Sequence, residues 1–333
     1  QPNSSFSFIS INFMDLNLLL DNLTNPALLF FFLGVIAVQL KSDLEIPPNS
    51  SKFISLYLMF SIGFKGGLEL SHSNLDIEIL WSLLFGVFLA LFVPIYTYFA
   101  LRTKFSVANS GAIAASYGSV SAVTFVTAVS FLEMEQIEFG GHMVAVMALM
   151  EAPSIIVGVL LMSYFQKNKE NKISLPSVFK HSLTNGSVLL IIGSLVIGFL
   201  ASDQHARGIE PFTTDIFKGF LAVFLLDMGI TSGKKLADFL KKGWFAFLFA
   251  IIIPLINGSV VAIISSVFTE SIGNRFLFAI LAASASYIAV PAAMRLAAPK
   301  ANPSLYLPMA LAITFPFNIT IGMPLYLYIV NLF

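Results

Sequence analysis

Two stretches of this chain gather small hydroxylated residues, glycine and proline inside otherwise apolar sequence. They are Ser116-Tyr117-Gly118-Ser119-Val120-Ser121 and Ser284-Ala285-Ser286-Tyr287-Ile288-Ala289-Val290-Pro291. A membrane helix that breaks at such a stretch frees backbone amides and carbonyls at bilayer depth, which are tolerated only around a cavity or a ligand. The N–H groups at the start of a half-helix, at the positive end of its dipole, suit an anion, whereas carbonyls and hydroxyls suit Na+. Gly118, Ser119, Ser121, Ser284, Ser286, Tyr287 and Pro291 are therefore candidate substrate-binding residues, and Ser116 and Ser286 candidate cation ligands. Small residues also let membrane helices pack closely. Two such segments at matching positions favour a site over packing alone.

Three ionisable residues fall inside apolar runs: Lys65, Glu151 and Asp227. Each is costly in lipid and calls for a partner or a function. Glu151, in Met150-Glu151-Ala152-Pro153, places a carboxylate beside proline-loosened backbone and is the preferred cation ligand. Lys65 and Asp227 sit near equivalent points of an internal repeat described below, which predicts that they pair with each other. Catalysis is not expected. An intramembrane hydrolase would need Ser119 or Ser121 activated by His142, and neither a His-Glu-x-x-His pair nor an aspartate dyad is present. The absence of cysteine excludes thiolate metal sites, and no cofactor is implied.

The elements that must position these residues are membrane helices. Hydrophobic residues make up 57% of the 333 and charged ones 11%, with a mean hydropathy of +0.87, so lipid must be the solvent for most of the chain. Crossing a bilayer core takes about 20 apolar residues. Apolar runs between polar breaks predict spans at 25–40, 52–68, 79–100, 106–132, 139–165, 186–201, 212–233, 243–267, 274–297 and 304–331. Basic residues alternate with the loops: Lys41, Lys52, Arg102, Lys104, Lys167 to Lys180, Lys234 to Lys242, Arg295 and Lys300 fall on one side. That side is predicted to be cytoplasmic, placing both termini outside a bacterial inner membrane. The segment 1–24 is read as extracytoplasmic; Gln1 to Asp21 has no Lys or Arg and so lacks the basic start of a signal peptide.

The basic loop 166–185 divides the chain into five-span halves, 25–165 and 186–333. Ile62-Gly63-Phe64-Lys65-Gly66-Gly67 resembles Met228-Gly229-Ile230-Thr231-Ser232-Gly233, with Gly63 against Gly229. Ala115 to Ser121 aligns with Ala283 to Ala289, and Pro153 answers Pro316. An odd number of spans per half inverts the second relative to the first. The expected fold class is thus an all-α polytopic membrane protein of ten helices in two inverted repeats, with broken, crossing fourth and ninth helices.

At the two break segments, together with Ala301-Asn302-Pro303-Ser304, the chain resembles the sodium-dependent bicarbonate permeases first known from cyanobacteria. The resemblance runs through almost all ten spans. Gly118, Ser121 and Thr124 match the family's break in the fourth span, which adds Thr124 to the substrate-binding set, and Glu151 lies where the family has an acidic residue before proline. Tyr287 stands where the family has an aspartate, Ala289-Val290-Pro291-Ala292 replaces Ser-Gly-Pro-Pro, and Ala122-Val123 replaces a glycine and serine.

The resemblance implies a core of spans 3–5 and 8–10 moving in elevator fashion against a gate of spans 1, 2, 6 and 7. It implies a homotrimer, and an anion held between the crossed breaks with Na+ close by. It also implies a PII-like regulatory protein at the cytoplasmic face, where cyanobacterial members have a longer central loop than 166–185. The resulting expectation is a Na+-coupled symporter importing bicarbonate or a similar small anion, with no nucleic-acid partner and no metal beyond Na+. The alternatives are a same-fold organic-anion transporter, a cation/proton antiporter using Glu151 and Asp227, and the hydrolase.

Overall fold

A computed structural model describes residues 22–73, 76–166, 180, 184–240 and 243–333, and the side chains of 237, 238, 240, 292 and 296 are left out of it. Nearly all of the segment 1–24, most of the central linker 166–185, and Lys241 and Lys242 lie outside the described residues. Among the described residues all regular structure is helical.

The helices are α1 (Pro26–Gln39), α2 (Pro48–His72), α3 (Ile77–Arg102), α4 (Val107–Gly118), α5 (Ala122–Met134), α6 (His142–Phe165) and α7 (Gly186–Leu200). They continue as α8 (Asp203–Glu210), α9 (Phe217–Leu240), α10 (Trp244–Ile264), α11 (Ile272–Ala283) and α12 (Ala289–Ala297). The last span is assembled from α13 (Pro303–Pro308), α14 (Phe315–Phe317) and α15 (Met323–Leu332), joined by π-helical turns at Met309–Thr314 and Asn318–Gly322.

Seven helical stretches are long and apolar enough to cross a membrane, and α1, α7 and α11 are shorter apolar helices. Of the ten expected spans, seven fall on stretches long enough to cross and three on the shorter helices. With 14 and 15 residues, α1 and α7 reach about 21 to 23 Å at 1.5 Å per residue, less than the roughly 30 Å hydrocarbon core.

Helix starts follow from local chemistry. Pro26, Pro48 and Pro303 occupy first helical positions, where their missing N–H costs nothing. Ser106 and Ser271 cap α4 and α11 alike, each accepting from the N–H three residues on, at Asn109 and Asn274.

Burial then sorts the helices into layers. The stretch Val107–Met134 is 94% buried along its most apolar window, whereas Ile77–Arg102 is 39% buried. On α3, Leu80, Trp81, Leu84, Phe88, Leu91, Phe92, Ile95 and Phe99 are exposed at helical spacing. A continuous apolar stripe of that kind faces lipid, and α4 and α5 lie in the protein interior behind it.

Two glycine-mediated crossings tie the peripheral helices together. A Cβ on Gly34 of α1 would lie 2.3 Å from the Leu226 carbonyl oxygen of α9, and one on Gly229 would lie 2.0 Å from that of Phe31. Likewise a Cβ on Gly67 of α2 would lie 2.0 Å from the Leu195 carbonyl of α7, and one on Gly198 would lie 2.1 Å from that of Phe64. Backbones this close require glycine, as membrane helix interfaces often do.

Candidate functional site

Both serine-rich stretches interrupt helices. α4 ends at Gly118, Ser119 is extended, and Ser121 Oγ accepts from the Thr124 N–H at 3.1 Å to start α5. α11 ends at Ala283, Ser284 is extended, and α12 starts at Ala289.

The two breaks meet and satisfy each other's freed backbone. Ser286 N–H donates to the Ser116 carbonyl at 2.8 Å, Ser116 Oγ donates to the Ser286 carbonyl at 2.5 Å, and Ser121 N–H donates to Ser284 Oγ at 3.1 Å. Side chains take up carbonyls at the ends of the first half-helices. Asn257 donates to Ala282 O at 3.1 Å, Asn318 to Ala283 O at 2.8 Å, and Ser154 to Ala115 O at 2.9 Å. The side-chain cap serves Thr124, so the first N–H groups of α5 have no intrahelical acceptor.

A cavity of about 20 Å³ lies at this crossing, lined by Ser121 and Ala122 at the start of α5, Ser286, Tyr287 and Ile288 before α12, and Glu151 of α6. Met59, Met147, Ser187 and Ile191 complete its wall. That volume holds about one water-sized particle. Glu151 is 9% exposed, and its carboxylate has no hydrogen-bond or ion-pair partner among the described residues. A buried carboxylate of this kind needs a cation or a proton.

Cavities of about 430 and 700 Å³ open beside Lys65 and Glu133 but share no wall with the small cavity, whereas one on the other side does. A vestibule of about 510 Å³ has Glu45, Lys52 and Lys234 among its walls and reaches Ser187, Tyr287 and Ile288, which also bound the small cavity. Toward the other end of α2, Lys65 Nζ pairs with Glu133 Oε1 of α5 at 2.6 Å. Beside this pair a Cβ on Gly141 would lie 2.2 Å from the Gly66 carbonyl oxygen, so the backbones are in contact.

The expected Lys65–Asp227 pair is not formed. Asp227 accepts a hydrogen bond from Ser51 Oγ, and Lys65 is 14 residues further along the same helix as Ser51, about 21 Å by helical rise. The two groups therefore lie too far apart to pair.

Of the sequence-predicted residues, Ser121, Ser286, Tyr287 and Glu151 come together at the cavity. Ser116 and Ser284 instead bind one break to the other. Gly118 makes room for packing: a Cβ there would lie 2.3 Å from Pro94 and 2.5 Å from Ser154 Oγ. Ser119, Thr124 and Pro291 are buried around the breaks but do not line the cavity. His142 begins α6, nine residues or about 13 Å of helix from Glu151, and hydrogen-bonds no serine.

Sequence reasoning missed Asn257, Asn318 and Ser187. The signal for the first two was an amide in the middle of an apolar run.

A sequence profile described as the Na+-dependent bicarbonate transporter superfamily matches residues 26–331. The chain belongs to that superfamily. No curated protein matches it. As a member of the Na+-dependent bicarbonate transporter superfamily with seven full-length apolar helices, it is an integral membrane protein. The superfamily is described as Na+-dependent. Of the expected cation ligands, Glu151 and Ser286 line the small cavity, and Ser116 does not.

Proposed function

We propose that this protein imports bicarbonate or a similarly small anion by Na+ symport, binding both ions where the two broken helices cross. The observation that carries this reading is the convergence of two half-helix starts and one unpartnered buried carboxylate on a single cavity. The anion takes the N-terminal ends of α5 and α12, where backbone dipoles present positive charge. Na+ sits by Glu151, offsetting both that carboxylate and the anion. At about 20 Å³ the cavity admits one small ion as it stands, so the anion enters by widening it toward the vestibule, past Tyr287 and Ile288.

A ten-span inverted repeat is supported by paired features of the two halves. α4 and α11 are both 12-residue helices with the same serine cap, and both end one residue before an extended serine. The crossing of Gly34 with Gly229 has its counterpart in that of Gly198 with α2, the pairs 34/198 and 63/229 standing at nearly equal offsets. In the elevator scheme, α3–α6 and α10–α15 form the moving core and α1, α2 and α7–α9 the gate. The vestibule on one side and the Lys65–Glu133 seam on the other fit a state open toward Lys52 and Lys234, the predicted cytoplasmic face. The homotrimer and a PII-like partner are carried by the family resemblance.

Proton antiport through Glu151 and Asp227 is disfavoured because the two face different cavities, Asp227 lining the vestibule and bonded to Ser51. The deciding experiment drives labelled bicarbonate into proteoliposomes with an inward Na+ gradient at equal pH, or with a pH gradient and no Na+. Accumulation only with Na+ supports symport. Accumulation with the pH gradient alone, beyond that of protein-free vesicles into which CO2 diffuses, refutes it.

A further inference from the structure

Tyr287 stands between the small cavity and the vestibule and lines both. It lies in the segment joining α11 to α12, outside either half-helix. Its ring leans edge-on against Phe315, with centroids 6.1 Å apart, which fixes the direction of the phenol. The hydroxyl is buried and has no hydrogen-bond partner. Ser121, on the same cavity wall, accepts the Thr124 N–H through Oγ and lies near the phenol, but the two hydroxyls are not in hydrogen-bond geometry.

An orphaned buried hydroxyl is expensive, and packing alone gives no return for it, since phenylalanine would fill the same space. At a cavity wall the missing partner is one that arrives with the ligand.

We infer that the Tyr287 hydroxyl is a specificity-determining hydrogen-bond donor to the transported anion. This rests on the reading that the anion binds between the breaks. The phenol adds to the half-helix N–H groups a neutral donor on the vestibule side. It therefore selects a small oxyanion with an unprotonated oxygen turned that way. Being uncharged, it leaves cation dependence to Glu151.

The test is Tyr287→Phe, which keeps the ring against Phe315. In proteoliposomes the KM for bicarbonate rises about tenfold or more, as expected for a lost hydrogen bond to a charged group. The Na+ concentration for half-maximal uptake, measured at saturating bicarbonate, stays at the wild-type value, and the ligand-free protein melts no earlier than wild type. An unchanged bicarbonate KM overturns the inference and reduces Tyr287 to packing. A changed Na+ requirement with an unchanged bicarbonate KM also overturns it, because the phenol oxygen would then serve the cation.

If the wild type shows no Na+-driven bicarbonate uptake, the functional reading fails on its own. The inference is then decided by thermal stabilisation of the purified protein with bicarbonate, formate or nitrate. Stabilisation of the wild type that is lost in the phenylalanine variant upholds it; equal stabilisation of both, or none of either, overturns it.

Discussion

Glu151→Gln removes the one charge at the cavity while keeping its shape. A carboxylate and Na+ at a contact distance of about 2.5 Å attract by about 7 kcal/mol at an effective dielectric constant of about 20. The amide keeps a carbonyl oxygen and avoids burying an unpaired charge, so only part of that attraction is lost. Breaking a buried pair by removing one member costs about 3 to 5 kcal/mol. Taking the lower figure, Na+ half-saturation rises about a hundredfold. The variant should melt no earlier than wild type in Na+-free buffer, where Glu151 takes up a proton, and it should lose the stabilisation that Na+ confers on the wild type. The assay is a Na+ titration of labelled bicarbonate uptake, followed by a bicarbonate titration at saturating Na+. Equal losses in Na+ and bicarbonate affinity would refute the assignment of Glu151 as the cation ligand, and so would an unchanged Na+ requirement.

Ser121→Val removes a cavity hydroxyl and the cap on Thr124, so the bicarbonate KM should rise about fivefold for a lost hydrogen bond of about 1 kcal/mol; unchanged transport would misplace the anion site. Gly67→Ala drives a Cβ to 2.0 Å from the Leu195 carbonyl, and the melting temperature in detergent should fall by several degrees. Gly193→Ala, which meets open space, serves as its harmless control. The chain has no cysteine, so Lys65→Cys combined with Glu133→Cys gives a clean test of the seam: a reducible bifunctional thiol cross-linker should arrest uptake and a reductant restore it. Full activity while cross-linked would mean that the seam never opens.

The breaks were legible because their chemistry is local. Serine, glycine and proline within an apolar run disrupt a helix wherever that run lies, and the structure interrupts α4/α5 and α11/α12 at the two predicted stretches. Glu151 was legible for a similar reason, since a carboxylate in lipid demands an explanation. What the sequence hid was depth and direction. The repeat offset placed Lys65 and Asp227 at matching positions but could not reveal that their nearest oppositely charged or polar groups were Glu133 and Ser51. Gly118 read as part of the binding loop because a glycine beside serines suits both roles, and only its approach to Pro94 and Ser154 separates them. Asn257 and Asn318 went unnoticed because amides carry no charge and do not interrupt the hydropathy signal, although they cap the carbonyls that the ninth-span break exposes.

The claim that both ions bind at the crossing is tested most directly by an experimental structure in lipid nanodiscs with Na+ and bicarbonate, beside one in K+ without bicarbonate. The account predicts Na+-dependent density beside Glu151 and an anion at the starts of α5 and α12, in contact with Ser121 and Tyr287. Ligand density confined to the vestibule near Asp227, with the Glu151 cavity unchanged between the two conditions, would contradict it.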